Sequence, residues 1–274
     1  MKTIIVATDF SPVAHNAALY AADMAKEINA SLLLFHAYQI PVALAEVPVA
    51  SISVEEMHQA SLEQLQNLRA SLQHVYGESL QISIEAVLGD TVEELKTKTE
   101  ELKPFAVIMG SKDNLGLEKI FLGSTTLHAI KHLSYPVIAI PRGVSYKHIS
   151  KMGLACDFRD VVNVTPVNVI KEMVGTFNAE LHVLNIRDEE QDFDEAALES
   201  AYLETILESV KPKYHFLPES GFAEGIDQFA IKNQLDLVIV LPKKHPFWES
   251  LFHKSRSAAL VKESHIPIMS IHES

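Results

Sequence analysis

Residues 109–126 read MGSKDNLGLEKIFLGSTT. Three glycines, Gly110, Gly116 and Gly123, fall within 14 residues of a chain that has 10 glycines in 274. The chemistry this stretch can perform is anion binding. Gly123, Ser124, Thr125 and Thr126 open a segment of helical character, and a helix start presents unpaired N–H groups and the positive end of its dipole. Gly123 would let an oxygen approach the backbone closely, and the three hydroxyls add donors. The stretch is not a Walker loop, because no Gly-Lys-Ser/Thr follows the required spacing. The first strand-to-helix turn, DFSPVAHN, has no glycine fingerprint, which leaves a dinucleotide site unsupported. A plainer use stays open: a hydroxyl before a helix is commonly an N-cap, and Gly110 can be a turn residue.

Other chemistries find less support. The 13 histidines invite a metal reading, but His245, His253, His265 and His272 lack tight ligand spacing and no cysteine pair joins them. No Gly-x-Ser-x-Gly elbow and no His-Glu-x-x-His occurs. Cys156, the single cysteine, reads as a small buried strand residue. The net charge of −13 is spread evenly, with 10 basic and 16 acidic residues in 1–143 and 13 and 20 in 144–274. An even acidity excludes the clustered basic face that a nucleic-acid partner requires. The run TIIVA after Met1 is too short for a signal core or a membrane span. A cytoplasmic protein without membrane contact is expected.

The elements that must position the glycine stretch recur twice. IIVATDFSPVAHNAALYAADMAKEINASLLLFHAY (4–38) matches MGLACDFRDVVNVTPVNVIKEMVGTFNAELHVLNI (152–186), with Asp9-Phe10 against Asp157-Phe158. YPVIAIP (135–141) matches IPIMSIH (266–272). Two domains are expected, 1–143 and 144–274. In the first, TIIVAT, SLLLFHA, ISIEAVL, FAVIMG and PVIAIP read as buried strands. Four helical segments lie between them, the first opening at Ser11-Pro12. Alternating strands and helices predict an α/β fold with two repeated five-stranded parallel sheets, doubly wound with right-handed crossovers. Ligands of such sheets sit beyond the C-terminal strand ends, where strand order reverses. If the first and fourth strands are neighbours, Thr8-Asp9 and Met109-Gly110 face one crevice.

At this point the chain resembles the universal stress protein family, as a tandem two-domain member. The family's ATP-binding signature is Gly, two residues, Gly, nine residues, Gly-Ser/Thr. Here the frame is Gly110, Ser111-Lys112, Asp113, nine residues, Gly123-Ser124, with Asp113 in place of the second glycine. The opening IIVATDFS, the VLGD turn at 87–90 and the YPVIAIP close agree with it. The resemblance implies a Rossmann-like fold of the adenine nucleotide alpha hydrolase type. It implies that Asp9 contacts the nucleoside and that Ala37 lends backbone to the adenine. Met109 and Gly110 would lie at the ribose or phosphates, Gly123, Ser124, Thr125 and Thr126 would hold the phosphates, and Lys112 would stand near the phosphate tail. Relatives pair their fifth strands across a two-fold axis. Here Pro136–Ile140 and Pro267–Ile271 would pair within one chain as a pseudo-dimer, with a homodimer as the alternative.

Asp113 bears on the ligand. A carboxylate facing a triphosphate repels it by roughly 4 kcal/mol per unit pair at 4 Å and an effective dielectric near 20. Asp113 either points to solvent, beside Lys112, or shares a Mg²⁺ with the phosphates. The second copy reads LPKKHPFWESLFHKSRS (241–257): Leu241, Pro242 and Lys254 stand where Gly110, Ser111 and Gly123 stand in the first. That half is expected not to bind ATP. The segment YQIPVALAEVPVASIS (38–53) is apolar for a loop and reads as a lid or a partner surface. The expected function is stress-linked binding of ATP or a related nucleotide for regulation or signalling, with no catalytic residue. The alternatives are a nucleotide-independent module for an unknown protein partner, and a slow ATPase.

Overall fold

A computed structural model of the chain describes residues 1–40, 53–111, 123–156, 161, 165–186, 193–217, 222–242 and 266–272. In the first half the order is β1 (Thr3–Ala7), α1 (Pro12–Glu27), β2 (Ser31–Tyr38), α2 (Val54–Tyr76), β3 (Ile82–Leu88), α3 (Thr91–Leu102), β4 (Ala106–Gly110), α4 (Ser124–His132) and β5 (Val137–Ile140). The apolar runs that predict strands are strands, and the helix starts follow their capping chemistry. Ser11 accepts from the Ala14 N–H with Pro12 in the first turn. Ser53 and Glu56 cap α2 reciprocally, and Asp90 accepts from the Val92 and Glu93 N–H groups at the start of α3.

The second half repeats the plan with β6 (Lys151–Cys156), α5 (Val167–Phe177), β7 (Glu180–Ile186), α6 (Phe193–Leu207), β8 (Lys213–Leu217), α7 (Phe222–Asn233), β9 (Leu237–Val240) and β10 (Ile268–Ser270). The strands form one ten-stranded sheet in the order β3-β2-β1-β4-β5-β10-β9-β6-β7-β8. Within each half all pairings are parallel. The halves join antiparallel, with Val137, Ile138 and Ala139 opposite Ser270, Met269 and Ile268. The two five-stranded halves are thus joined into one sheet along their fifth strands, the intrachain pairing that the resemblance implied.

Helices cover both faces, as buried parallel strands require. On one face α1 and α2 pack over Ile4, Val6, Leu32 and Leu34, and the same apolar layer continues through Ile138, Met269 and Leu154 into the second half. On the other face Val92 and Leu95 of α3, with Ala129 and Ile130 of α4, cover Ile5, Leu33, Phe35 and Val107. The buried side of α1 carries six alanines, Ala14, Ala17, Ala18, Ala21, Ala22 and Ala25. Small side chains bring that helix close to the sheet, which matters at Gly110 below.

The connection after β5 folds back on α1. Asn16 Nδ2 donates to the Pro141 and Val144 carbonyls at 3.3 and 3.0 Å. The Tyr146 hydroxyl donates to Glu27 Oε2 at 2.8 Å, and its ring meets Tyr20 edge-on at 5.0 Å. Across the halves, Lys2 Nζ donates to Thr176 Oγ1 at 2.6 Å and lies 3.1 Å from Glu172. Phe105 and Phe177 pack with ring centroids 6.1 Å apart.

Candidate functional site

β1 and β4 are neighbours, with Ala7 opposite Met109. Their C-terminal ends flank the point where strand order reverses, and a crevice opens there. Its void is about 650 Å³ counting the part open to solvent. Among its lining residues are Asp9, Ala37, Met109, Gly110, Gly123, Ser124, Thr125 and Thr126. Eight expected site residues, drawn from four separate segments of the chain, thus share one cavity. Lys112 and Asp113 lie outside the described residues, as does most of the 38–53 segment and the second-half stretch 243–257.

The floor is built by packing. A Cβ added to Gly110 would sit 2.8 Å from the Val13 carbonyl oxygen and 2.9 Å from its carbonyl carbon. Gly110 is therefore glycine because the alanine-lined α1 approaches β4 backbone to backbone. Neither a turn nor a ligand is needed to explain it. The Gly110 carbonyl accepts from Thr126 Oγ1 at 3.0 Å, which ties the end of β4 to the first turn of α4. Thr126 is 4% exposed, and its one hydroxyl proton is committed to that bond.

The wall opposite is the start of α4. Gly123 stands at the N-cap and makes no side-chain cap bond. Ser124 and Thr125 are exposed. Among the described residues, the first-turn N–H groups have no N-cap side-chain acceptor of the kind that Ser11, Ser53 and Asp90 supply to the other three helices of this half. An uncapped helix start in a crevice, with the dipole's positive end beside it, favours an anion.

The third side is the β1–α1 turn. Asp9 is exposed and its Oδ1 accepts from the Ser11 N–H at 3.1 Å. The side-chain cap of α1 is Ser11, not Asp9. Phe10 has φ 61°, in the left-handed region, which costs a residue with a Cβ roughly 1–2 kcal/mol. Its N–H donates to Thr8 Oγ1 at 3.0 Å, and its ring lies 4.5 Å from that of His36. His36 Nδ1 donates to the Thr8 carbonyl at 2.8 Å.

Thr8 lines the crevice as expected of the end of β1; Ser11, Val13, His36 and Thr91 also line it, and the sequence did not place them there. His36 had a signal: it is the one ring-nitrogen group in the otherwise apolar strand SLLLFHA. Asp9 is the single carboxylate among the described lining residues. Among the described residues no group of three His, Cys, Asp or Glu side chains could hold a metal ion. One carboxylate beside hydroxyls fits a Mg²⁺ only as one carried mainly by phosphates. No helix of the described residues is long and apolar enough to cross a membrane.

The family model described as the Universal stress protein family matches residues 1–141, a little over half of the chain. The chain belongs to that family. A universal stress protein of Methanocaldococcus jannaschii is 27% identical over 143 residues, covering 52% of this chain and 82% of that one. Among solved structures, a universal stress protein from Archaeoglobus fulgidus covers 99% of this chain and 96% of its own, with a TM-score of 0.69 and 16% identity. A protein of unknown function from Pseudomonas aeruginosa covers 99% and 92%, with a TM-score of 0.58 and 13% identity. The first overlap extends the fold of a universal stress protein over both halves of this chain, and the second spans both halves as well.

Proposed function

We propose that this universal stress protein binds an adenine nucleotide, ATP, in the first-half crevice and serves as a nucleotide-linked regulatory module. The observation that carries the reading is the first turn of α4, uncapped at Gly123 and lining the same cavity as Asp9 and Ala37. In this arrangement the phosphates lie against Gly123, Ser124 and Thr125. The nucleoside reaches toward Asp9 and the Ala37 backbone, over the floor formed by Met109 and Gly110. Mg²⁺ enters with the phosphates. The half-chain boundary falls at 143/144, and the second domain acts as the pseudo-dimer partner of the first. A cytoplasmic location fits this role.

The test is calorimetric titration of the full chain with ATP, with and without Mg²⁺, beside a Gly123→Lys variant that copies Lys254 of the second half. Saturable binding to the wild type that is lost in the variant supports the site. Absence of binding at millimolar ATP overturns it.

A further inference from the structure

We infer that Phe10, held by His36, is a positioning residue that sets Asp9 at the rim of the crevice. The inference rests on the nucleotide reading above and adds the device that orients its nucleoside end. Phe10 is not among the described residues lining the crevice, so any effect it has on a ligand passes through its neighbours. Those neighbours, Thr8, Asp9, Ser11 and His36, all line it.

The turn from β1 into α1 reverses the chain in a few residues, and the left-handed step at Phe10 makes the reversal. Glycine would take that step without steric cost. A bulky side chain keeps it only where its surroundings over-determine the conformation. Here they do so as a closed circuit. The Phe10 N–H donates to Thr8 Oγ1 at 3.0 Å. The Thr8 carbonyl accepts from His36 Nδ1 at 2.8 Å. A carbonyl only accepts, so that ring nitrogen carries the proton. The His36 ring then packs 4.5 Å from the Phe10 ring at 46°. Side chain and backbone of Phe10 are thus each anchored, through His36 and Thr8, to the ends of β2 and β1.

Asp9 sits between the two anchored residues. Its carboxylate is turned back onto the Ser11 N–H at 3.1 Å, and Ser11 in turn caps α1. Removing the ring leaves a turn that can still form but no longer has one geometry. Asp9 then samples several orientations, and a ligand contacting it must order it on binding. The phosphate end, at α4, is on another segment and does not depend on this circuit.

The experiment compares wild type, Phe10→Gly and Phe10→Tyr by calorimetry with two probes, ATP and inorganic tripolyphosphate. Phe10→Gly relieves the backbone strain but gives up the ring's packing on His36 and the core, and a cooperative thermal transition shows that the variant is folded. Its Kd for ATP rises about tenfold while that for tripolyphosphate changes by less than about twofold. Phe10→Tyr, which keeps the ring, restores ATP binding. ATP affinity unchanged in Phe10→Gly, or an equal loss for both probes, overturns the inference. Amide exchange at Ser11 supplies an independent readout. Slow exchange in the wild type and fast exchange in Phe10→Gly mark the circuit as real, and equal rates overturn it. If the wild type takes up no ATP, the nucleotide reading fails and the Ser11 exchange rates still decide the circuit.

Discussion

Thr126 Oγ1 donates to the Gly110 carbonyl at 3.0 Å. This bond joins the last residue of β4 to the first turn of α4 and fixes how far the helix start stands from the crevice floor. Thr126→Val keeps the shape and removes the donor. Gly110 then has a side-chain partner no longer, and a loss of about 1–2 kcal/mol is expected in urea unfolding. Wild-type stability in this variant would show that the bond adds nothing.

Gly110→Ala tests the floor itself. The new methyl meets the Val13 backbone at 2.8 Å, and backbone cannot rotate away as a side chain can. The expected cost is about 1–3 kcal/mol, as for other overpacked interiors, together with weaker ATP uptake as α1 shifts. A neutral outcome, measured by the same urea titration, would mean that α1 is free to move.

The second half carries a pair of facing histidines on β7 and β8, where the first half has Leu33 and Glu85. His182 Nδ1 lies 2.9 Å from His215 Nε2, and Phe229 covers both rings. Glu180 Oε1 lies 2.5 Å from His182 Nε2, a contact without hydrogen-bond alignment, and Glu180 also meets Lys213. Burial is the main cause that lowers the pKa of both rings from the usual 6.5, with Lys213 adding to it and Glu180 opposing. A histidine whose folded pKa is depressed stabilises the fold above its unfolded value. That contribution is lost as pH falls through the folded value. Urea midpoints should therefore decline below about pH 6.5. His182→Leu, which copies Leu33 of the first half, should flatten the decline; an unchanged slope would assign it to other groups.

The β5–β10 joint predicts assembly. Ile138 and Met269 face one another across it, both fully buried. Because each fifth strand already has its partner, sedimentation of the wild type should show a monomer at micromolar concentration. Met269→Ala should cost about 2–5 kcal/mol. A wild-type dimer would show that another surface pairs two chains.

Much of this protein is local in origin and so is readable along the chain. Ser11-Pro12 starts a helix by its own capping chemistry, IIVA and AVIM lie in strands because every side chain is apolar, and the two copies announce the two halves. The spacing from Gly110 to Gly123-Ser124 also pointed to the segment ends that meet in the crevice. Tertiary structure alone decided the rest, because the deciding neighbours are far away in sequence. It made Gly110 a packing residue through Val13, committed the Thr126 hydroxyl to backbone, and brought His36 against Phe10. A sequence states what each residue can do; which partner it meets depends on strand order, and β1 lies beside β4 only after the sheet has formed.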